Sequence, residues 1–196
     1  REKMEVFITT DGYNQSSDTK DKVSTSNLVK TKFGIYSVAK DSVYYVNFST
    51  LSHIQDTPKY YELYHNLKNK AKEDKLIIAQ PPVYNESGSL AIVEIRSQDN
   101  KDRWLVNLNL NNGTFKEIEH QHDEAWIGGP GIPSYSFGSG NLGFLADNET
   151  IYFQSEATGY SHLYTYNVKT KKKTQLTKGN WEVRDVTLSK DKKVFY

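Results

Sequence analysis

The sequence predicts an all-β fold, a partial β-propeller of about four blades, each a four-stranded antiparallel sheet, with one inserted helix near residues 57–73. Three observations carry this expectation. Apolar, aromatic and β-branched residues recur with period two in most of the segments rich in them. Turn-forming residues separate those segments at short intervals. A unit that reads strand, turn, strand, short turn, strand and further strand occurs twice, 58 residues apart.

The elements follow in order. Met4, Val6 and Ile8 alternate with Glu5 and Phe7 and lead into an Asp11-Gly12 turn. The polar stretch 13–27 then reads as a long exposed loop, and DSVYYVNF (41–48) as a strand. Over 57–73 the period changes: Tyr60, Leu63, Tyr64, Leu67 and Ala71 share one helical face, Thr57 suits an N-cap and Pro58 a first helical position. The repeat begins at SLAIVEIRS (89–97), which aligns without a gap on DNETIYFQS (147–155). At the same offset WLVNLNL (104–110) lies over HLYTYNV (162–168), FKEI (115–118) over KTQL (173–176), and DEA (123–125) over WEV (181–183). Turns fall at Asn111-Asn112-Gly113, Asp147-Asn148 and Lys178-Gly179-Asn180, and the Gly-rich insert 128–140 lengthens the repeat beyond a usual blade. The expected organisation is one partial propeller domain over 1–196, irregular with a helical insertion over 1–88, repeat-like over 89–146 and 147–196. Strand pattern at both ends gives the chain the look of an excised piece, with exposed strand edges that invite edge-to-edge self-association.

Composition narrows the function. A net charge of +1 with no basic face argues against nucleic acid, and the densest basic run, Lys171-Lys172-Lys173, falls between two strand patterns as a solvated hairpin tip. No cysteine is present, which excludes disulfides and thiolate chemistry. Mean hydropathy is −0.72 and no apolar window is long enough to cross a membrane as a helix. The first residues, REKMEVFITT, lack the apolar core of a signal peptide. No cofactor is expected.

The motifs that imitate active sites fail on context. GSGNLG (138–143) spells a dinucleotide fingerprint, yet a turn and a strand follow it instead of a helix. No G-x-S-x-G nucleophile elbow occurs, so no catalytic residue is assigned. His120 and His122 share one strand face beside Asp123 and Glu124, but at a strand end, where polar residues are expected, and no metal site is assigned. His162 at the start of a strand reads as a structural histidine.

Ser155, Glu156, Gly159, Tyr160, His162, Leu163 and Tyr164, followed by Thr177, Gly179, Trp181, Glu182 and Val183, match two runs, SE-x-x-GY-x-H-(hydrophobic)-Y and T-x-G-x-W/Y-E-V. These resemble the propeller of dipeptidyl peptidase IV-like serine peptidases of the prolyl oligopeptidase family. TLSKDKKVFY (187–196) is similar to the strand that opens the next blade, and SQDNKDRWLV (97–106) and HDEAWIGGPG (122–131) resemble exported members of the Bacteroides type. The resemblance is strong over 89–196 and weak over 1–88. It implies a non-catalytic N-terminal propeller segment of a periplasmic or secreted peptidase, which gates access and helps position the peptide N-terminus. The implied partners are its own C-terminal α/β-hydrolase domain, which holds the Ser-Asp-His triad, and a peptide substrate. Relatives hold the substrate ammonium with a Glu-Glu pair; this chain has none, so the resemblance carries that role only to Asp123 and Glu124, with Trp126 as a pocket wall. The alternative is a stand-alone propeller-like module that binds protein or glycan.

Overall fold

The computed structural model describes residues 2–19, 30–132 and 140–196. The chain divides into two compact units, Arg1–Lys30 and Thr31–Tyr196. In the first, strands β1 (Glu2–Val6) and β2 (Gln15–Thr19) pair antiparallel, with Met4 opposite Ser17. Gly12 supplies the left-handed turn residue at φ 75°. β2 corrects the loop expected over 13–27: the stretch has no apolar alternation, but its backbone groups are satisfied by pairing with β1. Residues 20–27 of that stretch lie outside the described residues.

The second unit opens with a hairpin of β3 (Gly34–Ser37) and β4 (Ser42–Tyr45), of which β4 lies within the expected strand region 41–48. The 57–73 insertion is helical but broken. A 3-10 helix covers Lys59–Leu63 and one α-helical turn, α1, covers His65–Lys68. Tyr64 between them is extended (φ −118°, ψ 119°), and Pro58, not Thr57, takes the N-cap position, with no side-chain cap bond. The reason is the absence of a core under the apolar face: Leu63 is 82% exposed and Tyr64 55%. A short helix without tertiary packing is marginal.

Two larger sheets follow. The first holds β5 (Ile77–Ala79), β6 (Val83–Tyr84), β7 (Ala91–Ser97), β8 (Asp102–Leu108) and β9 (Phe115–His122). Both β5 and β6 pair with β7, so they form one strand interrupted by Pro81-Pro82, which lack the N–H a ladder needs. The second sheet runs β10 (Gly143–Phe144), β11 (Thr150–Ser155), β12 (His162–Asn167) and β13 (Lys173–Gln175) in sequence order. At the C-terminal end, Thr187 and Tyr196 exchange both backbone hydrogen bonds (2.7 and 3.0 Å), closing a hairpin over the stretch expected to open a further blade.

β7 is buried at all seven positions because both its faces are covered. Ala91, Val93 and Ile95 join Trp104 and Val106 in a core completed by Val46, Phe48, Leu51 and Ile54. Ile92 and Leu105 face the other way, against Ile151, Phe153 and Tyr164 of the second sheet. Each such side chain contributes about 1.5–3 kcal/mol by leaving water. The blades therefore stack face to face through alternate residues of the same strands.

The registers refine the repeat. Asn109 and Thr114 frame one turn as Asn167 and Lys172 frame another, and Gly113 (φ 73°) corresponds to Lys171 (φ 60°), an offset of 58. In the preceding hairpin, however, Val83 faces Ile92 as Gly143 faces Tyr152, and Gly88 (φ 67°) corresponds to Asn148 (φ 57°), an offset of 60. The ungapped alignment thus slips by two residues over β7 and β11. A two-residue slip keeps every side chain on its face, so period-two patterning does not reveal it.

Candidate functional site

Polar side chains converge where β8 begins and β9 ends. β9 carries a bulge: Val106 faces Glu117 but Leu105 faces Glu119, leaving Ile118 as the extra residue. Beyond it, Trp104 faces His120 and Asp102 faces His122. Without the inserted residue the two histidines would fall on the opposite face. Trp104 is fully buried and donates its indole N–H to the Ser52 carbonyl at 2.9 Å, while Glu117 accepts from Ser52 N and Oγ at 2.9 and 2.6 Å. That clamp seats the 51–54 loop, and His120 stacks between Trp104 (5.3 Å) and His53 (4.8 Å).

Asp102 is the centre of the cluster and is fully buried. One carboxylate oxygen takes His120 Nε2 and His122 Nδ1, each at 2.9 Å, and the other takes Lys75 Nζ. Burial pushes its pKa up, but the bonds from His120, Lys75 and His122, together with the lysine charge, outweigh burial and hold it at about 2. His122 Nε2 reaches on to Glu124 Oε1 at 3.2 Å. Its pKa is pushed down by burial and up by Asp102 and Glu124, with a net rise. Glu124 ends below its ordinary value, raised by burial but lowered more by His122 and the Lys59 backbone N–H.

The predicted trio is dispersed. Asp123 Oδ1 accepts from the backbone N–H groups of Ala125 (2.7 Å) and Trp126 (3.1 Å), closing an Asx turn. Glu124 turns to His122 and Lys59, and Trp126 is 73% exposed. A cleft of about 210 Å³ lies between the end of β9 and the β11–β12 loop, with Gln121, Asp123 and Glu156 in its walls. Among the described residues, no group of three or more His, Cys, Asp or Glu side chains is arranged to hold a metal ion.

A second polar layer joins the two large sheets. Arg103 and Glu94, both fully buried, pair at 2.9 Å, and Arg103 also donates to the Gln154 carbonyl at 2.8 Å. Gln154 donates to Ser161 Oγ (3.1 Å) and the Val183 carbonyl (2.7 Å), and Ser161 N donates to Glu182 at 2.5 Å. His162 is buried between Thr177 Oγ1 (3.1 Å) and the Gly179 carbonyl (3.0 Å), with Trp181 edge-on at 5.2 Å. Within the two runs singled out in the sequence, His162, Thr177, Gly179, Glu182 and Val183 are therefore cross-linking residues. Lys173 of the basic run is bonded to Glu119 at 2.6 and 2.7 Å. In GSGNLG, residues 138 and 139 lie outside the described residues, and Gly143 opens a strand, not a helix.

Asp102, Lys75 and His53 escaped sequence reasoning. The Asn111-Asn112-Gly113 turn anchors the β8–β9 pairing, but the bulge that sets Asp102 opposite His122 has no signature in the sequence.

A family model of the dipeptidyl peptidase IV N-terminal region matches residues 22–196. The chain belongs to that family. In its fold, the chain is similar to a protein of Bacteroides ovatus assigned as a dipeptidyl aminopeptidase IV, with TM-score 0.56, 17% identity and coverage of 97% of this chain and 25% of that one. It is also similar to dipeptidyl peptidase 4 of Porphyromonas gingivalis, with TM-score 0.52, 15% identity and coverage of 79% and 18%. The segment thus spans a quarter or less of those chains. No curated protein sequence matches it. The antiparallel sheets of the described residues fit the family, whose N-terminal region is a β-propeller region. No helix among the described residues is long and apolar enough to cross a membrane.

Proposed function

We propose that this chain is the non-catalytic N-terminal propeller segment of an exported dipeptidyl peptidase IV-like serine peptidase. In the intact enzyme, periplasmic or secreted, it narrows access to the catalytic centre and helps position the peptide N-terminus. The observation that carries this reading is the family match over 22–196, supported by His162 and Val183 of the two motif runs being engaged in hydrogen bonds within the blade. The triad belongs to a C-terminal α/β-hydrolase domain, consistent with the lack of a G-x-S-x-G elbow in these 196 residues. Of the trio assigned to substrate contact, Trp126 is the outward-facing member. Asp123 and Glu124 would have to exchange their present bonds for a substrate ammonium.

The gene that encodes the chain tests this directly. The reading frame beyond Tyr196 should continue through more blades into an elbow, followed in order by an Asp and a His. A stop codon close to Tyr196, with no elbow, would contradict the proposal and favour a stand-alone binding module.

A further inference from the structure

A line of three side chains ties the helical segment at 59–68 to the end of the β7–β8–β9 sheet. His122 Nδ1 lies 2.9 Å from Asp102 Oδ1, and His122 Nε2 lies 3.2 Å from Glu124 Oε1. Ionised carboxylates only accept hydrogen bonds, and a neutral imidazole has a single N–H. Both contacts can hold together only when the ring carries two protons. We propose that His122 is a protonation-dependent clasp: as an imidazolium it bridges buried Asp102 to Glu124 and fastens the segment that begins at Lys59, and on losing a proton it releases that segment.

The wiring decides which arm lets go. Asp102 is fully buried while Glu124 is 37% exposed and can turn to water, so a neutral His122 keeps its proton on Nδ1 for the buried acid, and the Nε2 arm to Glu124 fails. Glu124 is the anchor of the segment: its Oε2 accepts the Lys59 backbone N–H at 3.1 Å, with Lys59 Nζ 4.0 Å from Oε1. Lys101 Nζ meets the Glu124 carbonyl and sits 5.9 Å over the Tyr60 ring.

The charged groups around His122 favour the cation. His120 is its ring neighbour at 6.5 Å, and behind it stacks His53, itself 2.6 Å from Asp56. Asp123 is turned to backbone N–H groups, and Glu156 lies across the cleft. The lysines are held on Asp102 and on the Glu124 backbone, not on the ring. The upward shift of His122 and the downward shift of Glu124 agree with this geometry. A histidine raised in the folded state stabilises fully below its ordinary value of 6.5 and loses that contribution as pH rises through the raised one.

Amide-exchange protection of residues 59–68, corrected for intrinsic rates, tests the clasp between about pH 5 and about pH 8. In the 196-residue chain it should fall several-fold as pH rises, with a midpoint equal to the NMR titration midpoint of His122. His122→Gln should make protection independent of pH. Glu124→Gln, a change at the surface that leaves the fold intact, should lower the His122 midpoint. His65→Gln, which removes the histidine inside the segment, should leave the dependence in place. Protection that is flat in the unaltered chain, or a dependence that survives in His122→Gln or vanishes in His65→Gln, would overturn the proposal.

Discussion

The two large blades share a backbone plan and solve one buried position differently. In the first, Glu94 and Arg103 form a fully buried ion pair that leaves Glu94 Oε1 and Arg103 Nε without hydrogen-bond partners. In the second, the corresponding Gln154 and Ser161 are neutral and tie into the 182–183 segment and the Pro130 carbonyl. The difference teaches that ladder register fixes where a polar residue must sit, while its neighbour across the interface fixes what it must be. The charged solution depends on both partners; the neutral one spreads its bonds over backbone.

That contrast can be broken most sharply at Arg103. Arg103→Met strands Glu94 in the interior and should cost about 3–5 kcal/mol in denaturant unfolding, whereas Arg103→Met with Glu94→Leu should recover most of the loss. An equal loss in the single and double variants would show that the pair is not the stabilising unit. On the apolar side of the same interface, Ile151→Ala should cost about 2–5 kcal/mol, and Ile92→Ala a similar amount. Their sum should differ measurably from the double variant, because the two belong to one cluster.

A smaller effect distinguishes the blades by acid. Asp102 at about 2, against an ordinary 3.8, contributes stability present above 3.8 and lost as pH falls from there through 2, about 2 kcal/mol in all. The matching position in the second blade is Tyr160, which carries no carboxylate. Asp102→Asn should therefore flatten the acid limb of the stability curve, read from the urea midpoint at successive pH values. The smallest expected effect compares two equivalent turns. Gly113→Ala places a Cβ at φ 73° and 3.3 Å from the Tyr44 ring, and should cost about 1 kcal/mol. Lys171→Gly, at φ 60°, should be neutral or stabilising by less than about 1 kcal/mol.

Much of the blade architecture was legible because it is local. The turns at Gly113 and Asn148 and the alternation in 91–108 and 150–167 are properties of adjacent residues. The helix at 57–73 was over-read because periodicity reports a face and not the presence of something to cover it, and Leu63 and Tyr64 meet solvent. β2 was missed because its Ser and Asp side chains give no pattern, although its backbone has a partner. The Asp102 cluster and the Glu94–Arg103 pair were invisible because each joins residues that only a bulge or a sheet interface brings together.

The proposed role makes this chain a propeller segment that relies on a separate hydrolase domain for catalysis. Incubating the purified 196-residue chain with an Xaa-Pro chromogenic dipeptide tests it most directly. No turnover above the uncatalysed rate is expected. Clear turnover that co-purifies with the chain would contradict it.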